Sequence, residues 1–249
     1  TDRRDRIIAL LSQNDALSPA ELSQRLDVSV QTIRADLRDL DDAALVQRRK
    51  GKVQLRQQSE NIGYLPRETI ARQEKQRIAL AVKGLIPDGA RVALGTGTTV
   101  EACARFLASH KDLFVASNSI HAVCALQQAP GVAVELAGGT VRMRDLDMIG
   151  TSALNFFSRY RVDYAVFSCG GLSEEGEVLD YNADEMSARK AIAGCGKKSI
   201  LVVDSTKNGL DLPFQMGHAW DFDVIVTGAR FSASVIDSCS RHGCQIVQV

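Results

Sequence analysis

Ser29-Val30-Gln31-Thr32-Ile33-Arg34-Ala35-Asp36-Leu37-Arg38-Asp39-Leu40 repeats its apolar residues at helical spacing, with Val30, Ile33, Leu37 and Leu40 on one face. The other face carries Gln31, Thr32, Arg34, Ala35 and Arg38, and Ser29 is placed to cap the helix. Just upstream, Ser18, Pro19 and Glu21 have the spacing of a capping box with proline at the first helical position, which predicts a helix with Leu22 and Leu26 turned inward. Before it, Ile7, Ile8, Leu10 and Leu11 fit one face of a short helix that residues 16–18 break. Two short helices joined by a tight turn, the second presenting hydrogen-bonding side chains near its N-terminus, are what a reader of the DNA major groove requires. Gln pairs with adenine, Arg with guanine, and Thr or Ala touches a thymine methyl.

Outward in the other direction, residues 45–55 read as a hairpin with Gly51 at its turn. Arg48, Arg49, Lys50, Lys52 and Arg56 form a basic run that contains no acid. A basic hairpin beside a recognition helix holds the phosphate backbone and fixes register without reading sequence. The expected DNA contacts are therefore Ser29, Gln31, Thr32, Arg34 and Arg38 on the helix, and Arg48, Arg49, Lys50 and Lys52 on the wing. A small three-helix domain with solvated arginines has the same helical periodicity, and the basic hairpin is what favours DNA.

The pattern Val28-Ser29-x-x-Thr32-Ile33-Arg34-x-Asp36-Leu37 resembles the N-terminal signature of the DeoR family of bacterial sugar-metabolism regulators. Leu45-Val46 and the arginine that follows resemble its helix-to-wing junction. The likeness implies a winged helix-turn-helix over residues 3–56. Two departures stand out: the family's common Arg-Arg-Asp is Arg34-Ala35-Asp36 here, and its usual His-Gly-Gly wing is Arg49-Lys50-Gly51-Lys52. The first means that an operator sequence cannot be copied from relatives, while the second keeps the cationic character.

Residues 57–70 show no sustained apolar period and read as a connector. The predicted division is a DNA-binding domain over residues 1–56, a linker over 57–71 and an effector domain over 72–249. A helix is expected over residues 72–85, with Ile78, Ala81, Val82 and Leu85 inward and Pro87-Asp88-Gly89 as its break. Beyond Gly89, short apolar runs at residues 92–94, 113–116, 132–136, 164–167, 199–203, 224–227 and 246–249 alternate with helical patterns. That alternation predicts a largely parallel sheet wrapped by helices, a Rossmann-like three-layer α/β domain, with its ligand beyond the carboxyl ends of the strands.

Those ends collect unusual residues. Gly95-Thr96-Gly97-Thr98-Thr99 follows a strand and opens a helix, so its backbone N–H groups, helix N-terminus and threonine hydroxyls suit an anion. It is neither a dinucleotide fingerprint nor a Walker loop, because the required spacings are absent. Other ends supply Ser117-Asn118-Ser119, Gly138-Gly139 with Arg142 close behind, Cys169-Gly170-Gly171, and Asp204-Ser205-Thr206-Lys207. One glycine-rich turn is ordinary turn chemistry, but several at one sheet edge point to a site. Lys207 is either a solvated lysine or a phosphate ligand. Asp184 and Glu185 either complement a helix N-terminus or accept hydrogen bonds from sugar hydroxyls.

Together with Ile149-Gly150, these segments resemble the DeoR-family effector domain, which is similar in fold to ribose-5-phosphate isomerase. The resemblance implies a sensor for a phosphorylated sugar or polyol, with Thr96, Gly97, Thr98, Thr99 and Lys207 at the phosphate. Gly95, Asn118, Gly138, Gly139, Arg142, Gly170, Gly171 and Glu185 complete the expected effector site. Ile149-Gly150 and Asp180-Tyr181-Asn182-x-x-Glu185 resemble the glycerol-3-phosphate-responsive branch.

The chain has 249 residues, with 30 Lys+Arg balancing 30 Asp+Glu, so binding of polyanions by bulk charge is excluded and any DNA contact must be local. No apolar run approaches the roughly 20 residues that cross a bilayer, and the charged start is unlike a signal peptide, so a cytoplasmic protein with no membrane partner is expected. The six cysteines have neither C-x-x-C nor zinc-finger spacing and are expected to be reduced and mostly buried, with no metal or other cofactor. The functional expectation is a transcriptional regulator, a repressor of carbohydrate or polyol catabolism genes, acting as a homo-oligomer (dimer or tetramer) on double-stranded operator DNA. The rival is a sugar-phosphate isomerase with an N-terminal accessory domain. Such an enzyme needs a general base beside the carbonyl carbon, and Ser168-Cys169-Gly170-Gly171-Leu172 offers no carboxylate. A protein-interaction module is a weaker third reading.

Overall fold

In a computed structural model that describes residues 2–12, 14, 16–42, 45–49, 51–55, 67–68 and 70–249, the chain divides into two compact units, Thr1–Gln73 and Glu74–Val249. The first unit holds α1 (Asp2–Ser12), α2 (Pro19–Leu26), α3 (Val30–Asp42) and a hairpin of β1 (Val46–Arg49) and β2 (Lys52–Leu55). Ile7, Leu22, Ile33 and Leu37 are fully buried among these elements, which is the inward stripe that the helical spacing demands.

The helix ends are written in local chemistry. Ser18 Oγ accepts the Glu21 N–H at 3.2 Å, and Glu21 Oε2 accepts the Ser18 N–H at 2.7 Å, so the capping box closes. Asp27, at φ 53°, turns the chain out of α2, and Ser29 Oγ takes the Thr32 N–H at 3.1 Å to start α3. The wing is sewn on by Leu17, whose N–H and carbonyl exchange hydrogen bonds with Val53 at 2.9 and 2.7 Å. Ser18→Ala is expected to remove about 1 kcal/mol from α2. Its amides should then exchange with solvent roughly five times faster, and unchanged exchange would rule out the cap as a stabilising element.

In chain order α4 (Arg72–Leu85) leads into the second unit, followed by β3 (Arg91–Leu94), α5 (Thr98–Leu107), β4 (Leu113–Ser117), α6 (Ile120–Ala125) and β5 (Val132–Leu136). A hairpin of β6 (Val141–Arg142) and β7 (Asp147–Met148) comes next, then α7 (Thr151–Phe157), β8 (Val162–Phe167), β9 (Gly171–Leu172), β10 (Glu177–Asp180) and α8 (Ala183–Cys195). The chain ends with β11 (Gly196–Val203), a 3₁₀ turn (Ser205–Lys207), β12 (Phe214–His218), β13 (Val224–Thr227), α9 (Ala233–His242) and β14 (Gln245–Gln248).

Seven strands form one sheet in the order β14-β13-β11-β8-β3-β4-β5, and every neighbouring pair is parallel. They are the seven runs expected from the sequence. The apolar character of the five inner strands follows from burial on both faces, while the edge strands β5 and β14 are partly exposed. Within β11, Ile200 and Val202 pack with Ile78, Val82 and Leu107 of α4 and α5, while Leu201 and Val203 pack with Phe157 and Ile192 of α7 and α8. The domain is therefore three-layered. No helix among the described residues is long and apolar enough to cross a membrane.

A second, antiparallel sheet of order β12-β10-β9 was not foreseen, because strands of two to five residues carry too little alternation to be read. It explains two glycines. A Cβ on Gly170 would lie 2.9 Å from Asp180 Oδ1 and from Leu212 Cδ1, and one on Gly171 2.8 Å from Leu210 Cβ. Both are buried by close packing at this sheet.

Candidate functional sites

On α3, Ser29, Gln31, Arg34, Ala35 and Arg38 are exposed and Thr32 is half-buried, so the face expected to meet DNA bases is open. Ser29 Oγ lies 2.8 Å from Thr32 Oγ1 in addition to capping the helix, and Arg38 Nε donates to the Arg34 carbonyl at 3.4 Å. On the wing, Lys52 is exposed and Arg48 Nε stands 3.9 Å from Asp41 Oδ2. Lys50, Arg56 and the side chain of Arg49 lie outside the described residues, as do residues 57–66 and 69 of the expected linker.

Asp36 does something that the sequence did not suggest. It is buried beneath α1, where Arg3 Nη2 donates to it at 3.2 Å and Arg4 Nε at 3.3 Å. Burial works against its charge, and the two guanidiniums overcome that, holding its carboxyl below the usual range. A depressed folded-state pKa contributes stability that is present above the unfolded value and lost as pH falls through the folded one. The first unit is therefore expected to loosen in acid, below about pH 4. Asp36→Ala should remove that acid dependence in a pH series of α1 amide exchange, and an unaltered profile would contradict the pairing.

In the second unit the carboxyl ends of β3, β8 and β11 meet around Asp204. Thr99 Oγ1 donates to Asp204 Oδ2 at 3.4 Å, Lys75 Nζ of α4 pairs with it at 3.7 Å, and Thr206 N–H donates to Oδ1 at 3.2 Å. Burial opposes the Asp204 charge, and Lys75, then Lys207, outweigh it and hold the carboxyl low. Lys207 Nζ also lies 5.9 Å from the centre of the Tyr181 ring. Next to them, Gly97, in the middle of the cradle at φ 114°, is the N-cap of α5 and, being glycine, gives it no side-chain cap. The first-turn N–H groups of α5 therefore meet a neighbourhood containing two lysines and two threonines, which suits a phosphate. Gly95 is packed against Phe167 and Ile192, Thr98 and Thr99 are buried, and Thr96 and Gly97 are half-buried.

Arg142 and Glu185 lie in a second cluster and bind each other. Arg142 Nε and Nη2 reach Asp147 at 2.9 and 2.8 Å, Nη2 lies 3.4 Å from Asp145, and Nη1 donates to Glu185. Arg189 pairs with Asp180, reaches Glu185 at 3.4 Å and donates to the Ser168 carbonyl at 2.7 Å. Burial pushes the Asp180 carboxyl up to about 6, and the Glu185 charge adds to this while Arg189 opposes it. For Glu185 burial acts the same way, but Arg189 and Arg142 hold its carboxyl down, to about 2. Cys169, its thiol pushed up to about 12 by burial, feels Arg189 and Asp180 on one side and Lys207 and Asp204 on the other, so the two clusters adjoin at the end of β8.

Asn118 is fully buried, with Nδ2 donating to the Met148 carbonyl at 2.7 Å and Oδ1 unpartnered. Gly138 and Gly139 are exposed, and Gly139 adopts φ 131° beside Ser152. Cysteines 103, 169, 195, 239 and 244 are buried thiols and Cys124 is exposed. Among the described residues no group of three or more His, Cys, Asp or Glu could hold a metal ion. The sequence pointed to the strand ends, and to Asp180 by resemblance, but not to Lys75, to Arg189, or to Asp204 as a hub. The pairs of Lys75 with Asp204 and of Arg189 with Asp180 are made only by the fold.

Residues 3–59 match the DeoR-like helix-turn-helix domain and residues 70–229 match the DeoR C terminal sensor domain. The chain belongs to the DeoR family. Among relatives of this DeoR-family protein, the glycerol-3-phosphate regulon repressor of Escherichia coli (strain K12) is 32% identical over 246 residues, covering 99% of this chain and 98% of that one. The glycerol-3-phosphate regulon repressor of Haemophilus influenzae is 34% identical over 226 residues, covering 91% and 88%. The HTH-type transcriptional repressor GlcR of Bacillus subtilis (strain 168) is 29% identical over 249 residues, covering 98% and 96%. Among solved structures, ribose 5-phosphate isomerase A from Methanocaldococcus jannaschii is similar to 55% of the chain, and to 55% of its own, with a TM-score of 0.41 and 17% identity. Both domains of the DeoR-family protein are those of a DNA-binding regulator with a sensor, which sets aside the isomerase reading.

Proposed function

We propose that the protein is a repressor of carbohydrate or polyol catabolism genes whose hold on operator DNA is set by a phosphorylated sugar or polyol. Residues 1–56 bind DNA, residues 57–71 link, and residues 72–249 bind the effector. The observation that carries the effector reading is the buried Asp204, which gathers Thr99, Lys75 and Lys207 beside the uncapped N-terminus of α5. Thr96, Gly97, Thr98, Thr99 and Lys207 take the phosphate in this reading. The hydroxyl-bearing part lies toward Asn118, Gly138, Gly139, Arg142, Gly170, Gly171 and Glu185. Two relatives are named for glycerol 3-phosphate, which makes that compound the first effector to test.

An effector shifts DNA binding only by its differential affinity for the free and DNA-bound conformations, and 1–3 kcal/mol of coupling is of the ordinary size. The protein works in the cytoplasm as a homo-oligomer, since two recognition helices on one DNA face read a paired half-site. Arg34 reads a base and Lys52 holds phosphate. Arg34→Ala is expected to cost about 1–3 kcal/mol on the preferred site and to relax preference at one position, whereas Lys52→Ala weakens all sequences alike and lowers the salt slope by about one. Equal losses on specific and random DNA for both variants would contradict this division of labour.

A further inference from the structure

Glu74 is the first residue of the second unit, and its carboxylate is committed to the turn that carries Lys207. The Ser205 N–H donates to Glu74 Oε1 at 2.7 Å, and the Ser205 hydroxyl donates to Oε2 at 2.6 Å. Both hydrogen bonds are charge-assisted, and two bonds to one residue fix orientation as well as distance. From the other side Gly228, directly after β13, leaves the carboxylate its space. A Cβ on Gly228 would stand 2.2 Å from Oε1 and 2.6 Å from Cδ. Lys75, the next residue of α4, pairs with Asp204, so the first turn of α4 holds two consecutive residues of the phosphate-site segment. Four positions before Glu74, Ile70 is buried in the core of the first unit.

We propose that Glu74 is the positioning residue that couples the effector site to the DNA-binding unit. It ties the first turn of α4 to the 205–207 turn, so a rearrangement of that turn around a phosphorylated effector is passed to the chain entering the first unit. This rests on the effector reading above and adds the route by which the sensor acts. Glu74 touches neither the cradle threonines nor Lys207 through its carboxylate, so its removal deletes none of the phosphate ligands themselves.

Three variants of the full chain test this. Glu74→Ala deletes both hydrogen bonds. Gly228→Ala keeps Glu74 but drives its flexible end out of position, at a backbone conformation that alanine adopts freely. Glu74→Gln retains an acceptor for the Ser205 N–H and a partner for its hydroxyl. Binding of glycerol 3-phosphate is measured by calorimetry, and DNA affinity by anisotropy on the DNA upstream of the protein's own gene, with and without saturating glycerol 3-phosphate. The wild type and Glu74→Gln are expected to change DNA affinity by about tenfold on adding glycerol 3-phosphate. Both alanine variants should bind glycerol 3-phosphate within about threefold of wild type, yet their DNA affinity should change by less than about twofold. Alanine variants that respond by the wild-type factor, or that lose glycerol 3-phosphate binding itself, would overturn the assignment. A wild type that binds neither glycerol 3-phosphate nor this DNA would sink the effector reading itself, which is a separate result.

Discussion

Arg189→Ala is expected to lower the unfolding free energy by about 3–5 kcal/mol, the cost of leaving buried charge without its partner. The Arg189 side chain is 8% exposed, and the Asp180 and Glu185 carboxylates beside it are 1% and 2% exposed. Removing the guanidinium leaves two carboxylates that water cannot reach and takes a donor from the Ser168 carbonyl at the end of β8. For a chain of this size each kcal/mol moves the melting temperature by roughly 2–4 °C, so a fall on the order of 10 °C is expected in thermal unfolding. The sign of the pH dependence follows from Asp180. Its folded-state pKa, about 6, lies above the ordinary value, so the folded protein prefers its neutral form, and ionisation costs stability as pH rises toward and through 6. Without Arg189 that cost grows, so the variant should be closer to wild type at pH 5 than at pH 8. A melting temperature within about 2 °C of wild type at pH 8 would show that the buried network does not hold this end of the sheet together.

Lys207→Ala is expected to abolish the response to a phosphorylated effector while DNA affinity without effector stays near normal. A charge-assisted hydrogen bond to phosphate is worth about 1.5–3 kcal/mol, so effector affinity should fall roughly 10- to 150-fold. The loss should be specific to the phosphate, because Lys207 sits on the turn after β11 with Asp204, whereas Arg142 is engaged with Asp147 and Glu185. An unaltered dose response would remove Lys207 from the site. Loss of effector-free DNA binding would instead mark it as a folding residue.

Much of the architecture was legible because its physics is local. The capping box at Ser18 and Glu21, the Ile33-Leu37 stripe and the seven apolar strand runs each announce themselves within a dozen residues. The antiparallel β12-β10-β9 sheet was not legible, since its strands are too short for a period and its glycines read equally well as turn residues. Site residues divided in the same way. The 95–99 cradle is one continuous segment, but Asp204 acquires Lys75 from a helix about 130 positions earlier, and Asp36 acquires Arg3 and Arg4 across more than 30. A single chain carries no record of such pairings. Arg142 and Glu185 were rightly singled out as unusual, but the sequence could not say that they pair with each other.

The central claim is that one chain reads DNA and a phosphorylated metabolite together. Its most direct test is fluorescence anisotropy on the DNA upstream of the protein's own gene, at two salt concentrations, with and without a panel of sugar and polyol phosphates that includes glycerol 3-phosphate. The expected result is binding that is tighter than to random DNA, falls steeply with salt, and is altered by one member of the panel. Affinity no greater than for random DNA, with or without every member, would contradict it.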